Sequence, residues 1–273
     1  MNHRQVIFTI GLIGVLLLVI SKYGWAQVLM VEPAYLELEL GKERPSGTFV
    51  VANISDDEVR CRAQAIHYRL SAEGQMEEIP PDGHSLASWI KFNPKEFTLA
   101  PKSSQNVRYS VIPNGRLEVG EYWGGIFFEP LVEKFNVLDT TNGVATKVKV
   151  VMSVLVPILG KYGDFEFSAR LEMLEAKVTD KGISLRSVIT NTSLGGLRLG
   201  GEYEIVDSSN QVAATGKFPA AFILPTGGMT ISALVKQSLS QGTYTVRGRY
   251  FDRKTNQLFT SGETTFKVGP LEH

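Results

Sequence analysis

The chain is poor in the residues that usually announce chemistry. It has one cysteine, Cys61, in 273 residues, so no internal disulfide holds it together. Of its four histidines, His3 lies in the short basic start before the apolar run and His273 is the last residue. His67 sits in a predicted strand and His84 in a Pro81-Asp82-Gly83-His84 turn, neither spaced with a second ligand as a metal site requires. No Gly-x-Ser-x-Gly elbow, phosphate loop or dinucleotide fingerprint occurs. Helical periodicity is weak throughout. Neither charge sign is in excess, with 28 basic and 28 acidic residues, so there is no basic footprint for nucleic acid. These absences predict no cofactor, no metal and no enzyme. Cys61 lies in the alternating stretch VRCRAQAIHYRL and reads as a buried structural thiol.

One long apolar run is present, Val6 to Ile20, interrupted only by Thr9 and two glycines. It follows His3 and Arg4 and precedes Gly24-Trp25-Ala26, small residues where a signal peptidase cuts. The pattern predicts a secretory signal peptide over residues 1–26. The other reading is an uncleaved anchor, but the run is short for a span of about 20 residues. Removing Arg4 and Lys22 with the leader leaves a net charge near −2. The remaining length suits two domains.

After Gln27 the chain reads as strands and turns. Val31 to Leu40 alternates, Gly47 to Ile54 is rich in β-branched and apolar residues, and Val59 to Leu70 alternates again. Trp89 to Phe92, Glu96 to Leu99, Asn106 to Ile112 and Tyr122 to Glu129 complete a first set. Short strands with turns between them predict an all-β fold of sandwich type. Glu37 and Glu39 alternate with apolar residues and should form a solvated face. A second series begins near Phe165 and repeats the order of signals. VVANISDDE has its counterpart in SVITNTSLG, and Leu99-Ala100-Pro101 in Leu224-Pro225. Gly120-Glu121-Tyr122 is matched by Gly242-Thr243-Tyr244. A tyrosine entering a strand after a glycine turn resembles the tyrosine corner of immunoglobulin-like sandwiches. The expected organisation is two tandem immunoglobulin-like β-sandwiches, residues 27–160 and 161–273, with the break at Gly160 to Gly163.

The strand Lys147 to Ile158, KVKVVMSVLVPI, carries the functional signal. Val148, Val150, Met152, Val154, Val156 and Ile158 fall on one face, because strand side chains alternate with period two. An apolar strand at a sheet edge is a hazard unless something covers it. Before it comes a 14-residue link, Leu131 to Val144, long for a hairpin.

With these strands in place, the first half resembles the periplasmic pilus-assembly chaperone family. The likeness covers Val31 to Pro157 and is best over EFTLAPKSSQNVRYSVIPNGRLEVGEYWGGIFFEP, Glu96 to Pro130. The resemblance implies an exported periplasmic protein of two immunoglobulin-like domains. It also implies a function: capping incomplete β-sandwich subunits of a pilus or surface fibre by lending them an edge strand. It implies pilin-like or other β-structured exported subunits as partners, together with an outer-membrane assembly platform. Val148, Val150, Met152, Val154 and Val156 would be the side chains that enter the client's groove. The family's basic pair for a client's terminal carboxylate has no counterpart in register, since Val31 to Leu40 holds no arginine or lysine.

Two other readings remain: a non-catalytic structural or adhesive component of a surface assembly, and a hydrolase with a site across a domain cleft. Trp89, Trp123, Phe127 and Phe128 suit either a carbohydrate platform or a core, and the core reading is preferred for aromatics flanking a tyrosine corner. Asn53-Ile54-Ser55 and Asn191-Thr192-Ser193 fit the glycosylation acceptor pattern, but read more simply as turns ending strands.

Overall fold

The computed structural model describes residues 29–41, 43–131 and 152–269. The predicted leader and the link from 132 to 144 lie outside the described residues. Among the described residues, ten strands build the first half: β1 Leu29–Glu32, β2 Leu36–Glu39, β3 Ser46–Asn53, β4 Val59–Leu70, β5 Met76–Ile79, β6 Ile90–Asn93, β7 Glu96–Leu99, β8 Ser104–Val111, β9 Gly120–Leu131 and β10 Val154–Tyr162. Seven build the second: β11 Ala169–Thr179, β12 Gly182–Asn191, β13 Leu197–Asp207, β14 Val212–Ile223, β15 Gly228–Val235, β16 Gly242–Asp252 and β17 Leu258–Val268.

The first half is a two-sheet sandwich. One sheet has the order β1-β3-β8-β6 and the other β2-β10-β9-β4-β5, with β7 paired to the start of β4. Phe49, Val107, Phe128, Val156 and Ile158, all fully buried, fill the space between them. The second half packs β11-β12-β15 against β14-β13-β16-β17. Its core contains Ile189, Leu199, Val246 and Tyr250, and the Tyr250 hydroxyl meets Ser187 Oγ at 2.5 Å. Burial pushes the Tyr250 phenol up to about 12. The expected all-β, tandem immunoglobulin-like architecture is what the chain adopts.

One expected strand is divided. The alternation of Val31 to Leu40 suggests one strand, but Pro33 divides it. Proline has no N–H to give to a ladder, and the Glu32-Pro33 bond is cis. Before it, β1 pairs antiparallel with β3; after it, β2 crosses to the other sheet and pairs parallel with β10. At the other end, β10 runs through Tyr162. Gly163 then turns the chain with φ of 72°.

The internal repeat is realised in hydrogen bonds. Asn53 Nδ2 donates to the carbonyls of Asp57, Leu99 and Ala100 at 2.7, 3.2 and 3.0 Å. Asn191 Nδ2 donates to those of Gly195, Ile223 and Leu224 at 2.8, 3.0 and 3.0 Å. Each Oδ1 accepts from the N–H and hydroxyl of the serine two residues on, Ser55 or Ser193. Both asparagines are buried, so neither is a glycan acceptor in the folded protein. Each ties together two sequence signals of the repeat, the Asn-x-Ser turn and the leucine–proline turn. The tyrosine corners are equally regular. Tyr122 Oη accepts the Glu118 N–H at 2.8 Å, and Tyr244 Oη donates to the Ser240 carbonyl at 3.0 Å.

Cys61 is fully buried in the first core, where loss of solvation pushes its thiol up to about 12. Trp89 and Phe128 belong to the same core. Phe127 is a correction, since it is half-buried and lies outside the buried clusters.

Candidate functional site

Strand β10 has two faces with different neighbours. Val156 and Ile158 point into the first sandwich and are fully buried, and Val154 packs against the same core. Leu155 and Leu159 point the other way and join Tyr68 and Trp123 in a separate apolar cluster with Leu224 of the second sandwich. Close approach to β9 depends on Gly125. A Cβ there would lie 2.7 Å from both Leu155 Cδ1 and the Val156 carbonyl oxygen.

Of the expected binding row, Val156 is buried in its own sandwich and Val154 is half-buried against the same core. Alternation shows which residues share a face; it does not show what covers that face. Met152 is different, with 53% of its surface exposed and no strand assignment. Val148 and Val150 lie outside the described residues.

The expected edge is also only partly an edge. β2 pairs with β10 over Ile158 to Lys161, and the Leu40 N–H continues that contact to the Lys161 carbonyl at 2.8 Å. Pairing with β9 covers the whole strand on its other side, from Val154 to Tyr162. Among the described residues, no strand covers the remaining side of Val154 to Pro157. That stretch is the amino-terminal part of β10, and it continues in sequence to Met152, Val150 and Val148.

No family model matches the chain, and no curated protein matches it. Solved structures do resemble it. They are chaperones of fimbriae and pili. One is a chain of the chaperone–tip adhesin complex of CFA/I fimbriae biogenesis, with a TM-score of 0.47 and 13% identity over 89% of this chain and 99% of that one. Another is the class 5 fimbriae chaperone CfaA, with a TM-score of 0.45 and 16% identity over 89% of this chain and 100% of that one. A third comes from the CsuC–CsuE chaperone–tip adhesion subunit pre-assembly complex of Acinetobacter baumannii Csu pili. It has a TM-score of 0.45 and 10% identity over 87% of this chain and 97% of that one.

The joint between the sandwiches was not visible in the sequence. The Glu121 N–H donates to the Leu194 carbonyl at 2.8 Å, and its carboxylate accepts the Gly196 N–H at 2.6 Å. Burial holds the Glu121 carboxyl above its ordinary value, opposed chiefly by that Gly196 hydrogen bond and by Arg198. Arg198 also pairs with Glu37, so Glu37 does more than form a solvated face. A third tie is the Thr230 N–H to the Ala72 carbonyl at 2.8 Å. Trp123, expected in a sandwich core, packs in this joint instead, and its indole N–H donates to the Tyr68 carbonyl at 2.7 Å. His67 and His84 both lie against the Trp123 ring, at 5.2 and 5.9 Å between centroids. His67 also meets the Trp123 carbonyl through Nδ1 and Asp82 Oδ1 through Nε2, both at 3.2 Å. The only sequence sign of the joint was the Gly-Glu-Tyr turn, which contains Glu121.

Proposed function

We propose that the protein is an exported, non-catalytic chaperone that works in the periplasm and caps β-structured subunits of a pilus or related surface fibre. It would do so by lending the amino-terminal part of the β10 strand. The observation that carries this reading is the partial cover of β10: β2 pairs only from Ile158 onward, and among the described residues no strand covers the side before it. A client missing a strand would pair with that backbone, which gives affinity tolerant of sequence. Val148, Val150 and Met152 would supply the side chains. Three such side chains contribute roughly 5–9 kcal/mol gross when buried, reduced by ordering and association costs. Val154 and Val156 would act from inside, holding the lent strand to its own sandwich. An outer-membrane assembly platform is the expected second partner.

The test compares the mature protein with a Val150→Asp, Met152→Asp variant, each recovered from the native cell envelope with its bound proteins. Recovery of a small β-rich exported protein with wild type alone supports strand lending and identifies the client. Equal recovery with both chains removes the strand from the mechanism. Finding the protein itself in an insoluble surface assembly would favour the structural-component reading.

A further inference from the structure

The two sandwiches enclose an apolar cleft of about 640 Å3. Its floor is the outward face of β10, Leu155, Pro157 and Leu159, and Phe222 of β14 forms part of the opposite wall. Three cations border it, Arg198, Arg253 and Lys254, against one carboxylate, Glu37. Arg198, Lys254 and Glu37 also line the polar hollow that adjoins the cleft, together with Glu39, Glu121, Lys161 and Asp252. Glu37 is engaged with Arg198. Among the described residues, Arg253 and Lys254 have no ion-pair partner.

We propose that this cleft binds a single-chain anionic amphiphile, one acyl chain with a phosphate-type head. The volume lies within the roughly 300–1,000 Å3 of small-molecule sites. An alkyl chain suits the floor for a specific reason. That floor is a sheet face, and the N–H and C=O groups of a strand lie in the plane of the sheet and do not point out of its face. A peptide laid there would bring N–H and C=O groups with no partners, which is costly; an alkyl chain brings none. The unpaired guanidinium of Arg253 and the ammonium of Lys254 supply the charge complement for the head, and an arginine fork matches phosphate oxygens. The site uses the outward side chains of Leu155 and Pro157, whereas strand lending would use the backbone edge of the same stretch, so the two are tested separately.

The experiment is calorimetric titration of the mature protein with dodecyl phosphate below its micelle-forming concentration. One molecule should bind per chain, less tightly as salt is raised. Arg253→Ala with Lys254→Ala should weaken binding about tenfold or more. Ala220→Trp, which fills the cleft from an exposed position on its wall, should abolish it. Urea midpoints equal to wild type establish that both variants are folded. The proposal is overturned if dodecyltrimethylammonium binds as tightly, or if Ala220→Trp binds unchanged. Binding of an acetylated apolar tetrapeptide in place of dodecyl phosphate would overturn it in favour of a peptide occupant.

Discussion

The Glu121 carboxylate accepts the backbone N–H of Gly196 at 2.6 Å and so ties the first sandwich to the second. Burial raises the Glu121 carboxyl above its ordinary 4.5 despite that bond. The sign of the linkage follows. The folded protein holds the proton more firmly than the unfolded chain, so the associated stability is fully present below about pH 4.5 and is lost as pH rises through the folded value. Glu121→Gln keeps an oxygen for the Gly196 N–H and carries no charge. Urea midpoints of the two proteins across that pH range should diverge, the wild type losing stability relative to the variant as pH rises. Parallel curves would show that the carboxyl does not titrate at the joint.

Met152 and Val156 share a face by sequence but not an environment. Val156→Asp places a charge in a fully buried position and should cost more than about 3 kcal/mol, measured as loss of the first sandwich's unfolding transition. Met152→Asp, at a position 53% exposed, should stay within about 0.5 kcal/mol of wild type while losing client recovery.

Gly125 lets β10 lie close to β9. Gly125→Val puts a Cβ 2.7 Å from the Val156 carbonyl oxygen, where backbone has to move. The expected loss is about 1–3 kcal/mol. Amide hydrogen exchange should rise at Leu155 and Val156 before it rises in β3 or β8. Uniform exchange across the sandwich would contradict this placement.

Asn53 and Asn191 make equivalent bonds in separate sandwiches. Asn53→Ala and Asn191→Ala each strip buried carbonyls of a donor, at about 1–3 kcal/mol. After leader removal the tryptophans are Trp89 and Trp123, both before residue 163. In a Trp123→Phe background, which leaves Trp89 in the first core, tryptophan fluorescence should therefore report the Asn53→Ala loss and leave Asn191→Ala to circular dichroism. A fluorescence shift from Asn191→Ala as large as from Asn53→Ala would mean that the two sandwiches unfold as one.

Local chemistry made the fold legible in the sequence. Period-two alternation, turn residues and the two tyrosines depend on a few neighbouring positions, and they led to tandem sandwiches with their corners in place. The doubled Asn-x-Ser and leucine–proline signals were visible as a repeat. Only the folded chain shows that one amide joins each pair, because the partners of Asn53 lie 46 and 47 residues away. Pro33 was visible too, but the crossing of β1 to β2 between sheets depends on which strands lie beside them.

What the sequence determined by itself was an all-β chain with an alternating strand ending near Pro157. The tertiary structure decided what each side of that strand meets. Val154, Val156 and Ile158 face the strand's own core, Leu155 and Leu159 face the joint, and β2 covers the backbone only from Ile158 onward. The physical reason is that alternation is a property of one strand, whereas exposure, edge and cleft are properties of its neighbours. Those neighbours come from distant parts of the chain: β2 begins at Leu36, and Arg198 and Phe222 belong to the second sandwich.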